Sequence, residues 1–234
     1  MKNEIICSNC GKGSAFYKLN CDHCKAYLRT RIVNIDLWAT VSLLIESPAN
    51  AFQNIIQAEH KNFVMFLSLF IGIKLFLLSV IVNSFINPGN HIVDSFFLNL
   101  LIFTGYSIVL ILICSFLITR INALAGLKNR FKDNYTMFIY SFMPVLISLF
   151  LLSAVNYALF GRYWFTYNPS PFLIKPTVAW IMSGIEVLLV LWSLLLSIIA
   201  VYTQTRNKLY SVIAGIIFWG CIISLIFFAP LLPF

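Results

Sequence analysis

"SVIAGIIFWGCIISLIFFAP", Ser211–Pro230, runs twenty residues without a charged side chain. About 20 apolar residues of helix cross the hydrocarbon of a bilayer. A helix is what such a stretch must form there, because lipid offers no partner to a free N–H or C=O. Working back along the chain, four more stretches reach that length. They lie near Phe63–Val82, Ser95–Ile118, Thr136–Phe160 and Val178–Thr203, and the last span extends over Ser211–Leu231. Pro88 with Gly89, and "NPSPF" from Asn168, mark two of the turns between them. Of 234 residues, 60% are hydrophobic and 10% charged, against about a quarter charged in ordinary globular domains. No core of this size can bury so much apolar surface, so lipid must be the solvent for most of it. The expected fold is an all-α membrane protein, a five-transmembrane-helix bundle over residues 63–234.

The net charge of +8 does not point to nucleic acid. A phosphate-gripping surface gathers its Lys and Arg on one polar face, whereas here they sit in short connections between apolar runs. Positive charge in such places orients a membrane protein. The stretch up to Lys61 carries Lys2, Lys12, Lys18, Lys25, Arg29, Arg31 and Lys61. The second connection adds Arg120, Lys128, Arg130 and Lys132, and the fourth adds Arg206 and Lys208. On the other side stand only Arg162 and Lys175, a balance of thirteen against two. The expected topology is N-terminus cytosolic and C-terminus outside. Tyr157, Tyr163, Trp164, Tyr167 and Trp180 would form an aromatic belt at the outer surface. The first thirty residues hold no apolar h-region of a secretory signal.

Ahead of the spans, residues 1–30 read "MKNEIICSNCGKGSAFYKLNCDHCKAYLRT". Cys7-x-x-Cys10 and Cys21-x-x-Cys24 supply four thiolates, the donor set of a closed tetrahedral zinc site. Gly11 suits the tight turn that brings backbone amides to the sulfurs. A closed site leaves no position for water, so one structural zinc is expected rather than a catalytic one. Metal would also fold a ribbon-like segment that has too little core to fold alone. Rubredoxin-like iron and a dithiol redox pair are the alternatives, and the reducing cytosol favours metal over disulfide. His23 lies within the second pair and reads as exposed. Cys114 and Cys221 lie in apolar runs and read as small hydrophobes.

Residues 31–62 read as amphipathic interfacial helices. Leu37, Val41, Leu44 and Ile45 keep helical spacing, as do Phe52, Ile55, Ile56 and Phe63. Ser47-Pro48 reads as an N-cap with proline at the first helical position. The second helix either lies in the membrane interface or packs on the loops of its own bundle.

Catalytic groups are scarce. There is no His-Glu-x-x-His, no Gly-x-Ser-x-Gly and no pair of intramembrane carboxylates. His23, His60 and His91 all fall outside the spans, so an enzyme is not expected. Two ionisable residues do lie within spans, Lys74 in the first and Glu186 in the fourth. Each is eight residues from the outer end of its span, or about 12 Å of helix. They are expected to form an intramembrane ion pair, read as a structural pair before an ion relay. Asn99, Ser141, Asn156, Gly72, Gly105 and Gly184 read as helix-packing material, and Pro144 as a helix kink in the third span.

From about residue 35 onward the chain resembles the Yip family, the Ypt/Rab-interacting membrane proteins with a five-span domain. "LLIESPANAFQNIIQAEH" ahead of the first span carries the resemblance. So do "LAGLKNRFKDNYTMFIYSFMPVLISLF", with Tyr140 and Pro144 early in the third span, and "WSLLLSIIAVYTQTRNKLYSVIAGIIFWG". The resemblance implies a membrane scaffold whose eukaryotic relatives act in vesicle traffic by binding small GTPases and one another. That branch carries Asp-Leu-Tyr-Gly-Pro before its spans. Here the string is "DLWATV" from Asp36, which argues against small-GTPase binding. The zinc ribbon and the Ile-, Phe- and Asn-rich composition resemble a prokaryotic member in a bacterial cytoplasmic membrane.

Three functions follow as expectations. The first is a non-enzymatic scaffold or adaptor in the bilayer whose ribbon docks a protein partner or another copy of the chain. The second is a small-solute or ion transporter using Lys74 and Glu186. The third is a redox- or metal-sensing head.

Overall fold

The computed structural model describes residues 3–86, 96–167 and 169–228. The expected turn at Pro88–Gly89, the span start at Ser95, His91, Asn168 and the span end at Leu231 lie outside the described residues. A short antiparallel hairpin opens the chain, β1 (Glu4–Ile6) on β2 (Gly13–Ala15), with Glu4 opposite Ala15 and Ile6 opposite Gly13. Among the described residues all else that is regular is helical. Five helical stretches among them are long and apolar enough to cross a membrane: Val64–Asn83, Phe96–Leu124, Phe131–Phe160, Pro176–Thr205 and Lys208–Phe227. The chain is a multi-pass α-helical membrane protein. Its residues fall into two compact units, each built from several sequence segments.

The first unit comprises Met1–Met65, Ile111–Ser141 and Leu195–Ile217. It holds the hairpin and two short helices, α1 (Leu37–Glu46) and α2 (Pro48–Gln57). Asp36 caps α1 by accepting from the Ala39 amide at 3.0 Å. Ser47 occupies the N-cap position of α2 with Pro48 in its first turn, but its hydroxyl caps no amide and instead accepts from Asn50 Nδ2. The α2 face of Ala51, Phe52, Ile55 and Ile56 is buried. It packs on α1 and on α5 (Phe131–Ser141). The apolar face that the sequence offers either to the membrane interface or to the loops of the bundle is thus covered by two helices, α1 and α5. A three-way polar tie joins later segments of this unit. Asn122 donates to Gln204 Oε1 at 3.1 Å and accepts from the Tyr210 hydroxyl at 2.8 Å. These belong to α4 (Phe96–Leu124), α9 (Pro176–Thr205) and α10 (Lys208–Phe228).

The second unit comprises Phe66–Leu110, Phe142–Leu194 and Phe218–Phe234. It includes most of α3 (Val64–Ile86), all of α6 (Met143–Phe160) and two single-turn helices, α7 (Tyr163–Thr166) and α8 (Pro171–Ile174). Phe142 separates α5 from α6 and Pro144 lies in the first turn of α6, where its missing N–H costs nothing. The helical ladder is interrupted at Phe142 and resumes with Leu146 N–H on Phe142 O at 2.9 Å. Trp164 and Tyr167 are buried, unlike the exposed Tyr157 and Trp180, so the aromatics expected to form a belt divide between core and surface.

Of three glycines read as packing residues, only Gly72 meets a neighbour closely. A Cβ there would lie 2.6 Å from Thr104 Cγ2 and 3.1 Å from Thr104 Cα, whereas Gly105 and Gly184 face open space. Gly72→Ala should therefore destabilise by about 1–3 kcal/mol through overpacking. Gly184→Ala should instead gain up to about 1 kcal/mol from helix propensity. Denaturation of the two variants in mild detergent reads the opposite signs.

Candidate metal centre and buried ion pair

The two Cys-x-x-Cys turns fold alike. In the first, Gly11 N–H bonds Cys7 O at 2.9 Å and Cys7 N–H bonds Lys12 O at 3.0 Å. In the second, Lys25 N–H bonds Cys21 O at 3.2 Å and Cys21 N–H bonds Ala26 O at 2.9 Å. The residue after each pair is left-handed, Gly11 at φ 69° and Lys25 at φ 62°. Glycine announces the first knuckle in sequence. Lysine in the equivalent place conceals the second.

These turns bring the four Sγ atoms within 4.8 Å of one another, with Cys7–Cys24 at 3.5 Å and Cys10–Cys21 at 3.6 Å. Sulfurs about 2.3 Å from one tetrahedral ion stand about 3.8 Å apart, so the donor set fits a metal ion. The Cys24 and His23 amides, helped by the Ser14 hydroxyl, hold the Cys21 thiol down at about 5. The Ala26 amide lowers Cys24. The Lys12 amide also lowers Cys10, but burial and the three neighbouring sulfurs outweigh it and push that thiol up to about 11. Four sulfurs this close cannot all ionise without a cation among them, and that is the environment a metal ion completes. The His23 side chain is exposed, and only its backbone reaches a sulfur, at 3.4 Å.

Within the first unit the head is held by basic residues whose sequence role was orientation. Lys128 pairs with Glu4 at 3.1 Å, the Arg130 guanidinium lies 4.2 Å over the Tyr17 ring, and Arg206 lies 6.0 Å over Phe16. Arg29 donates to Tyr17 O at 3.0 Å and Gln57 O at 2.7 Å. Beside these sits a carboxylate that sequence reading passed over. Asp133 is fully buried between Lys61 at 3.0 Å and Arg130 at 2.7 Å. Lys61 also reaches Ile55 O and Ile56 O, and Arg130 reaches Ile56 O, so cations meet the free carbonyls and negative dipole at the end of α2. The one signal in sequence is an acid among bases at the start of the third apolar helical stretch.

Burial, only partly offset by Asp133, pulls the Lys61 amine down to about 8. The folded amine then loses its proton near pH 8, while the unfolded one keeps it to the ordinary 10.5. Between those values unfolding takes up a proton, so stability should rise with pH. Below about 8 the cost of the buried charge is present in full. Lys61→Met should remove this rise, as unfolding in detergent from pH 7 to 10.5 would show.

The second unit holds Lys74 and Glu186. Lys74 Nζ lies 2.6 Å from Glu186 Oε1, with side chains 3% and 6% exposed. The Ser148 hydroxyl donates to Glu186 Oε2 at 2.9 Å, so both carboxylate oxygens are engaged. Nearby, the Tyr167 hydroxyl is buried with no partner among the described residues, and burial with the Glu186 charge raises its phenol above the usual value. Asn156 is likewise buried with both amide atoms unpartnered among the described residues. A cleft lined by Lys74, Leu77, Ile81, Ser153, Trp164 and Phe165 adjoins the pair. It has room for about one water molecule.

Compared with protein-family models, curated proteins and solved structures, the chain matches none. Its class therefore rests on its own architecture: a multi-pass membrane protein with a four-cysteine head able to hold a metal ion.

Proposed function

We propose that the chain is a non-enzymatic membrane scaffold of the Yip type, with zinc in the four-cysteine head and the head on the cytosolic side. The observation that carries this reading is how the head is held. Its Glu4, Phe16 and Tyr17 are engaged by Lys128, Arg206 and Arg130, while Ile6 and Tyr27 are each 75% exposed. A metal-braced knuckle with one side tied down and apolar groups left open is built for contact. Cys7, Cys10, Cys21 and Cys24 would hold the zinc. Its chemistry there is structural, since four thiolates leave no position for a substrate.

Photocrosslinkers placed at Ile6 and Tyr27 in living cells test the reading. A discrete adduct, with a protein partner or a second copy, is expected at both positions and should disappear in Cys7→Ser. Uniformly monomeric protein at both would overturn it.

The alternative, a small-solute or ion transporter, draws support from the unpartnered buried hydroxyl of Tyr167, which feels the charge of Glu186. The small cleft and the mutual saturation of the pair weigh towards a structural role. Flux into proteoliposomes that Glu186→Gln abolishes in folded protein would reverse that order.

A further inference from the structure

Helix α1 carries two different faces. Thr40 and Leu44 are buried on the side that packs on α2. On the opposite side Trp38, Ser42 and Ile45 follow one another at helical spacing, with Trp38 81% and Ile45 58% exposed. We propose that this open face lies in the surface layer of the bilayer, with Trp38 and Ile45 set at the boundary between headgroups and acyl chains.

Depth is the first argument. The strand-like stretch before α1 runs beside the approach to the first span. Glu59 N–H bonds Ile32 O at 3.1 Å, His60 N–H bonds Val33 O at 2.9 Å, and Asn34 bridges His60. Trp38 is four residues beyond that bridge on one side and Val64, where α3 begins, is four beyond it on the other. A chain advances at most about 3.3–3.6 Å per residue, so each lies within about 14 Å of the bridge. The start of α1 is thereby tied through the bridge to the chain entering the first span, and Phe63 and Met65 at that entry are exposed as well.

Chemistry is the second argument. An indole prefers the level of the headgroups, where its ring is buried and its N–H finds a partner. The ends of α1 carry exposed Asp36 and Glu46 and the helix has no basic residue, so attraction to anionic lipid is not what holds it. The occupant is a neutral, zwitterionic lipid surface recognised by apolar contact. This inference does not depend on what the head binds.

Fluorine NMR on the full-length protein, labelled with 5-fluorotryptophan in zwitterionic nanodiscs, tests it. Of the five tryptophans, the resonance lost in Trp38→Phe is that of Trp38. A nitroxide near the lipid headgroup should broaden it several-fold more than one near the chain end or a gadolinium chelate in the water. Strong broadening by the chelate alone would place the face in solvent and overturn the inference. Protection from all three probes would place it against protein, a second copy or a partner, and would also overturn it. Broadening by the shallow nitroxide only when anionic lipid is added would reject the neutral surface as the ligand.

Discussion

Protein purified without chelator should contain one metal ion per chain, and removing it should unfold the head while the apolar helices remain. The segment around Cys7, Cys10, Cys21 and Cys24 has a two-stranded hairpin of three-residue strands and few buried residues besides Cys7, Ala15 and Cys21. So small a core cannot offset the entropy of ordering the chain. Ligation can, since closing such a site releases on the order of 10 kcal/mol. Cys7→Ser and Cys21→Ser should each reduce bound metal to background. Elemental analysis reads the stoichiometry, and an absence of visible ferric-thiolate absorption separates zinc from iron. Affinity should fall as pH falls, because each ligand must give up its proton. Metal at the same level in both Ser variants would place it elsewhere. Bound iron would leave the site in place and displace zinc.

The second large effect concerns the buried pair. Lys74→Met leaves the Glu186 carboxylate with only the Ser148 hydroxyl, and Glu186→Gln leaves the ammonium without its counter-charge. Breaking a buried ion pair from one side costs about 3–5 kcal/mol, whereas replacing both partners by neutral groups is often close to neutral. The single variants should therefore lose most of their folded yield in detergent. The double variant, Lys74→Met with Glu186→Gln, should recover to within about 1 kcal/mol of the parent. Additive losses would show that the groups act separately, through contacts other than each other.

How much of this was legible can be judged from particular residues. The spans were plain, because uninterrupted apolar length is the one property a bilayer demands of sequence. The helices run past the apolar stretches: the second spanning helix reaches Leu124, beyond Ile118, and the helical stretch of the third begins at Phe131, ahead of Thr136. Both extensions contain polar side chains that looked like loop, and both are helical where those side chains find partners. Asn122 meets Gln204 and Tyr210, and Asp133 meets Lys61 and Arg130. The four-cysteine cluster could be read from the spacing of its cysteines, since a knuckle is local. The left-handed turn at Lys25 could not, because lysine gives no sign of a positive φ.

Sequence by itself determined the apolar helices, the donor set of the head and the two charges, Lys74 and Glu186, set deep within apolar stretches. Each follows from composition or from neighbours within a few residues. Only the tertiary structure decided that α2 is covered while α1 keeps an open face, and that basic loops hold the head by its aromatic residues. It also decided that Asp133 is buried between two cations. Those outcomes depend on which distant segments meet. Two amphipathic helices in succession offer similar apolar stripes, and only the shape of what they pack against selects which stripe is covered.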